Sequence, residues 1–136
     1  MLASISAWTI INIFLILIIA YILGMQIYLY LVGKRVSKIL TNDEFKQGMR
    51  SAQIIDLREA DSFKNGRIMG ARNIPYSQLS ILKSGIRKDM PIYLYENGRT
   101  LATRAAIQLH KSGFKDIYVL KTGFTNWDGK IKKNKY

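Results

Sequence analysis

The sequence predicts an α/β fold, a parallel sheet flanked by helices, preceded by one N-terminal transmembrane helix. Two observations carry this. The first is the placement of charge: residues 1–33 hold no charged side chain, and all 30, 21 Lys+Arg and 9 Asp+Glu, fall between Lys34 and Lys135. The second is that, beyond Lys34, short apolar runs of strand length alternate with segments of helical periodicity. That is the pattern of a parallel sheet covered on both faces. A chain of 136 residues has room for one such domain.

The first element is the apolar run Trp8 to Val32. As a helix it would be roughly 37 Å long, enough to cross a hydrocarbon core of about 30 Å with some tilt. The rest of the chain is too small to bury it. Residues 1–7 contain no Lys or Arg and no convincing small-x-small site follows the run, so an uncleaved anchor is expected rather than a signal peptide. Lys34, Arg35 and Lys38 follow the span immediately while its other flank is uncharged. The positive-inside rule therefore expects the N-terminus outside and the domain in the cytoplasm, a single-pass arrangement in a cell (inner) membrane of bacterial type. Trp8, Tyr28 and Tyr30 suit the interfacial belts. Asn12, Gln26 and the pair Ala20 and Gly24 are weak signals for helix association.

The soluble elements follow in order. Ile39-Leu40 is a short apolar step. Thr41 and Glu44 have capping-box spacing, so a helix is expected to run to Gln47–Arg50. Gln53 to Leu57 reads as a buried strand, Ala60 to Lys64 as a helical turn stopped at Asn65-Gly66, and Ile68 to Ile74 as extended around Gly70. A short helix is expected within Tyr76 to Lys83, broken by Gly85. Pro91 to Tyr95 is a strand, Glu96 to Arg99 a turn, Thr100 to Lys111 a helix capped by Ser112-Gly113, and Ile117 to Leu120 a strand. Thr122-Gly123 leads into a short helix through Trp127. Asp128 to Tyr136 is expected to be a poorly ordered lysine-rich tail. The domains are thus an anchor at 1–33, a folded domain at 34–129 and a basic tail at 130–136.

The chain has no cysteine and one histidine, His110. This excludes disulfides, thiolate zinc sites, a thiol nucleophile and any His-His metal site, and no cofactor or metal is expected. His110 reads as a solvated helix residue, and Phe124 and Trp127 as core residues closing the last helix.

Five phrases, in order across about residues 37–129, resemble the rhodanese-like domain family. Ile55-Asp56-Leu57-Arg58-Glu59, then Phe63 and Gly66-Arg67-Ile68, resemble its "DVRE…F…GHI". Gly70-Ala71-Arg72-Asn73-Ile74-Pro75 resembles "GAxNIP", and Pro91 to Tyr95 resembles the strand that delivers the active loop. Ala105-Ala106, Leu109 and Gly113-Phe114 resemble the helix behind that loop, and Gly123-Phe124 with Trp127 its closing "GGxxxW". Thr122 stands where the first glycine of that motif is usual.

The resemblance implies a rhodanese-like sheet and, by itself, sulfur transfer through a cysteine that opens a loop C-x-x-G-x-R-S. A thiolate accepts the sulfur, and the loop amides with the following helix N-terminus hold the anion. Here the stretch is Tyr95-Glu96-Asn97-Gly98-Arg99-Thr100-Leu101-Ala102. Counting back from Ala105-Ala106 without gaps puts Glu96 at the cysteine; matching Gly98 instead puts Tyr95 there. Neither alignment supplies a nucleophile, and in the first Leu101 and Ala102 replace the loop's arginine and serine. Catalytic residues are therefore not expected, and the chain reads as an inactive sulfurtransferase homologue.

Two arrangements of the loop remain open. Glu96, Asn97, Gly98, Arg99, Thr100 and Arg104 can form an anion-binding or partner loop. Alternatively the Glu96 carboxylate itself occupies the amides, which is favourable at a helix N-terminus. Asp56, Arg58 and Glu59 read as support for this loop.

The formal net charge of +12 resides in the soluble part. The simplest partner is the bilayer, through residues 8–32, with anionic lipid headgroups as candidates for Lys34, Arg35, Lys38, Lys130, Lys132, Lys133 and Lys135. An acidic protein partner, unidentified, comes next; nucleic acid lacks a recognition signature. The expected function is a membrane-tethered, catalytically inactive binding or scaffolding module. The alternative is a sulfurtransferase-related or other anion-handling enzyme that uses a non-cysteine loop or a partner's cysteine.

Overall fold

A computed structural model describes residues 4–134. It contains two compact units, one ending at Leu31 and the other beginning at Val32. The first is α1, the helix Ala7–Val36, whose C-terminal turns enter the second unit. Its most apolar window has a mean hydropathy of 2.5 and none of it is buried, so this helix is a candidate transmembrane span. The span expected at 8–32 thus lies within a helix that continues to Val36.

The second unit is a sheet with helices on both sides. Its elements are β1 (Lys38–Leu40), α2 (Asn42–Gly48), β2 (Gln53–Asp56), α3 (Ala60–Asn65), β3 (Arg67–Ile68), β4 (Arg72–Asn73), α4 (Leu79–Leu82), β5 (Ile92–Tyr95), α5 (Thr100–Lys111), β6 (Ile117–Leu120) and β7 (Ile131–Lys132). Five strands form a wholly parallel sheet in the order β1-β6-β5-β2-β4. Strand alternation divides the core. Ile54, Tyr93, Tyr95 and Leu120 point to one face, with Phe45 of α2, Ile68, Phe124 and Trp127. Ile55, Ile92, Leu94, Ile117 and Val119 are left for the other, where α5 packs through buried Ala102, Ala105, Ala106 and Leu109.

Local chemistry accounts for several boundaries. α2 starts at the expected capping box: Thr41 Oγ1 accepts the Glu44 N–H at 3.3 Å and the Glu44 carboxylate accepts the Thr41 N–H at 3.2 Å. Pro75 opens a 3-10 turn, Tyr76–Gln78, and another, Lys83–Gly85, ends the short α4.

Three expectations change. Ile39-Leu40, read as an apolar step, belongs to a sheet strand, with Ile39 opposite Val119 and Leu40 opposite Leu120. Ile68 to Ile74, read as extended around Gly70, is interrupted there: the chain turns at Gly70 (φ +89°), and β3 and β4 on either side enter different sheets. The basic segment 130–134 is not a loose tail. β7 pairs antiparallel with β3, the Asn134 N–H donates to Lys64 O at 2.9 Å, and Arg67 Nη1 donates to Asn134 Oδ1 at 2.9 Å. Short basic strands look like tails in a sequence because a two-residue pairing has no periodicity. Lys135 lies outside the described residues.

Candidate functional site

The C-terminal ends of β2 and β5 lie side by side, with Asp56 opposite Tyr95, and the loop 96–99 leaves there to start α5. Crevices outside such strand ends are where open parallel sheets hold ligands. The Leu57 N–H donates to Tyr95 O at 3.0 Å, which carries the pairing one residue beyond β2.

Tyr95 ends the strand rather than opening the loop. Its ring is fully buried and its hydroxyl oxygen accepts the Ile68 N–H at 3.1 Å. Burial, with the neighbouring Asp56 carboxylate adding to it, pushes the Tyr95 hydroxyl far above the usual tyrosine range. The residue that opens the loop is Glu96. Its Oε2 accepts the Ala102 N–H at 3.0 Å, and its Oε1 accepts the Gly98 N–H at the longer distance of 3.4 Å. Of the two arrangements left open by the sequence, the geometry is the one in which the carboxylate itself sits on the amides. Arg99, the residue preceding the first turn of α5, makes no side-chain cap, so Glu96 supplies that function from three positions upstream.

The loop is pinned from its far side. The Phe124 N–H donates to Glu96 O at 2.7 Å, and Gly123 lies with φ +70° and ψ −178° directly against the Asn97 carbonyl. A Cβ there would collide with that carbonyl, and the conformation itself is one that only glycine adopts readily.

Beneath the loop, Asp56 and Arg58 form a buried bidentate pair. Arg58 Nε donates to Asp56 Oδ1 at 3.0 Å and Nη2 to Oδ2 at 2.7 Å, and Nη2 also donates to Gly66 O. The guanidinium lies 4.2 Å from the centre of the Phe124 ring. Asn73 Nδ2 ties the segment to β4 by donating to Arg58 O at 2.9 Å and to Asp56 O at 3.1 Å. With its charge committed to Asp56, Arg58 has little left for an incoming anion.

An open cleft of about 310 Å³ is lined by Arg58, Glu59, Tyr76, Ser77, Glu96 and Asn97, among others. Glu59 accepts from Ser77 Oγ at 3.3 Å. The structure thus brings Arg58, Glu59, Glu96 and Asn97 to one cleft, whereas Arg99, Thr100 and Arg104 are exposed and do not line it. Tyr76, Ser77 and Leu101 complete the wall. Sequence reasoning passed over Tyr76 and Ser77, although their place directly after the "NIP" phrase was the available signal. The cleft thus presents two carboxylates, Glu59 and Glu96, beside an arginine paired with Asp56. Among the described residues no cluster of His, Cys, Asp and Glu could hold a metal.

The rhodanese-like domain profile matches residues 41–130, more than half of the chain. The chain belongs to the rhodanese-like domain family. It is 49% identical over 124 residues to the uncharacterized protein YqhL of Bacillus subtilis, covering 91% of this chain and 98% of that one. It is 35% identical over 78 residues to the thiosulfate sulfurtransferase GlpE of Shewanella oneidensis, covering 57% and 77% of the two chains. Among solved structures, the rhodanese-like domain of the Anabaena protein Alr3790 matches with a TM-score of 0.65 at 25% identity, covering 71% of this chain and 80% of that one. As a rhodanese-like domain, this chain has no cysteine anywhere in its sequence.

Proposed function

We propose that this rhodanese-like domain is membrane-tethered, has no sulfurtransferase activity of its own, and works as a binding or scaffolding module on the cytoplasmic face. The observation that carries the first part is the Glu96 carboxylate, which opens the loop where the family resemblance expects a cysteine and holds the Ala102 N–H at 3.0 Å. A carboxylate there forms no persulfide, and its charge repels thiosulfate. The tether and its direction are supported by the 30-residue helix Ala7–Val36 and by the basic residues Lys34 and Arg35 in its last turn.

The chemistry is tested by a thiosulfate–cyanide assay on the full chain in lipid nanodiscs, with an active thiosulfate sulfurtransferase as reference. Thiocyanate release at background level is expected; turnover comparable to the reference overturns the reading. Topology is tested separately. Because the sequence has no native cysteine, Ser4→Cys and Ser84→Cys can each be labelled alone with a membrane-impermeant maleimide. Labelling of Ser4→Cys in intact cells, and of Ser84→Cys only after permeabilisation, is expected. The reverse pattern overturns the cytoplasmic placement.

A further inference from the structure

A second and larger concavity shares no residue with the cleft at Glu96. It is an open groove of about 910 Å³, whose apolar lining includes Met49, Ala52, Ile54, Met69 and Trp127. Met69 is half exposed although apolar. Trp127 is held in place. Its ring meets Phe45 edge-on at 5.4 Å, its Nε1 donates to Lys130 O at 3.3 Å, and the indole lies over Gly129, where any side chain would collide with it. Met69 is tied to the same place, because its N–H also donates to Lys130 O, at 3.2 Å.

Charge at the rim is of one effective sign. Lys46 and Asp128 satisfy each other at 2.8 Å. Arg50 and Lys130 are exposed and have no ion-pair partner among the described residues. An apolar lining with two thioethers, Met49 and Met69, that adapt to different side chains, framed by unneutralised cations, matches one kind of ligand.

We infer that this groove docks an acidic segment of a partner protein, with an aromatic or aliphatic side chain of that segment seated between Met69 and Trp127 and its carboxylates facing Arg50 and Lys130. A concave lining takes a protruding side chain, whereas a flat lipid surface would leave it unfilled. The inference deepens the binding-module reading but does not depend on Glu96 or on the absence of catalysis.

The test uses the full chain in nanodiscs of neutral lipid, with Trp8→Phe so that Trp127 is the single tryptophan and can be excited selectively at its red edge. The probe is an acetylated and amidated octapeptide of six acidic residues around a central Phe and Leu. Saturable change in the Trp127 emission is expected. Affinity should fall about tenfold for Arg50→Glu with Lys130→Glu, and by a similar factor when the peptide's Phe and Leu become Ser. Reversal of two exposed cations away from the groove, Lys111→Glu with Lys115→Glu, should leave affinity unchanged. Both reversals alter exposed side chains, and circular dichroism verifies that each variant is folded. No binding by the parent chain, equal loss in the control reversal, or insensitivity to the Phe and Leu overturns the inference. So does a groove reversal that spares peptide binding but abolishes flotation of the full chain, held in neutral nanodiscs, with phosphatidylglycerol vesicles.

Discussion

Glu96 Oε2 accepts the Ala102 N–H at 3.0 Å, so the residue that opens the loop also closes the first turn of the helix the loop delivers. Ala102 is the third residue of α5, and its amide is one of the donors that a helix leaves without an internal partner. Replacing a capping acceptor by alanine costs roughly 0.5–2 kcal/mol, typically about 1. Glu96→Ala is therefore expected to lower the thermal midpoint by roughly 4–8 °C for each kcal/mol lost in a domain of this size. Hydrogen exchange in micelles should show the Ala102 amide losing protection. An unchanged midpoint with retained protection would mean that the carboxylate contributes nothing to the loop.

Asp56 and Arg58 are worth measuring as a pair because each is buried and each is the other's main partner. Arg58→Leu leaves a buried carboxylate uncompensated and takes the donor from Gly66 O, and breaking such a pair from one side costs about 3–5 kcal/mol. Adding Asp56→Val removes the stranded charge at the expense of the Arg58-position N–H that Asp56 Oδ1 accepts at 2.9 Å. Urea unfolding should find the double variant more stable than Arg58→Leu alone. A double variant as unstable as the sum of the singles would show that the two do not act together.

Tyr95 gives a prediction about pH. Its folded-state hydroxyl is held above the ordinary range by burial first and by Asp56 second, so the folded chain retains a proton that the unfolded chain gives up at about pH 10. Raised in the folded state, the group contributes stability that is complete below pH 10 and is lost as pH rises above it. Tyr95→Phe does not titrate, but strands the Ile68 N–H at a cost of about 1–3 kcal/mol. Urea midpoints should therefore favour the parent chain at pH 7. Above pH 10 the gap should close by up to about 1.4 kcal/mol per pH unit. A gap that stays constant to pH 11 would contradict this placement of Tyr95.

The parallel sheet, the α2 capping box and the strand carrying Tyr93 and Tyr95 were legible in the sequence because each leaves a local mark: an apolar run, a Thr41–Glu44 spacing, a turn at Gly98. The commitment of Glu96 to its own loop was readable only as one of two options. Loop sequence does not say which acceptor reaches the amides first, and the distance to the Ala102 N–H decides it. β1 and β7 escaped for another reason. Both are defined by partners distant in sequence, Tyr118 to Leu120 for one and Arg67-Ile68 for the other, and neither is long enough to show alternation. The groove at Trp127 and Met69 was equally hidden, since the two lie 58 positions apart and meet at Lys130 O, which accepts from both.

Gly123 and Thr122 stand side by side where the family's closing motif carries two glycines, and the structure gives them opposite expectations. Gly123 combines φ +70° with a position at which an added Cβ would collide with the Asn97 carbonyl. Gly123→Ala therefore incurs a backbone cost of about 1–3 kcal/mol and must also push the 96–99 loop away. Unfolding should show at least that loss, with exchange protection vanishing at the Phe124 N–H that donates to Glu96 O at 2.7 Å. Thr122 is exposed, and its hydroxyl makes one surface contact, to Asn42 Oδ1 at 3.2 Å. Thr122→Gly, which restores the family pattern, should change stability by no more than about 0.5 kcal/mol. A Thr122→Gly loss as large as that of Gly123→Ala would show that the turn, rather than the close approach to Asn97, is what holds the loop.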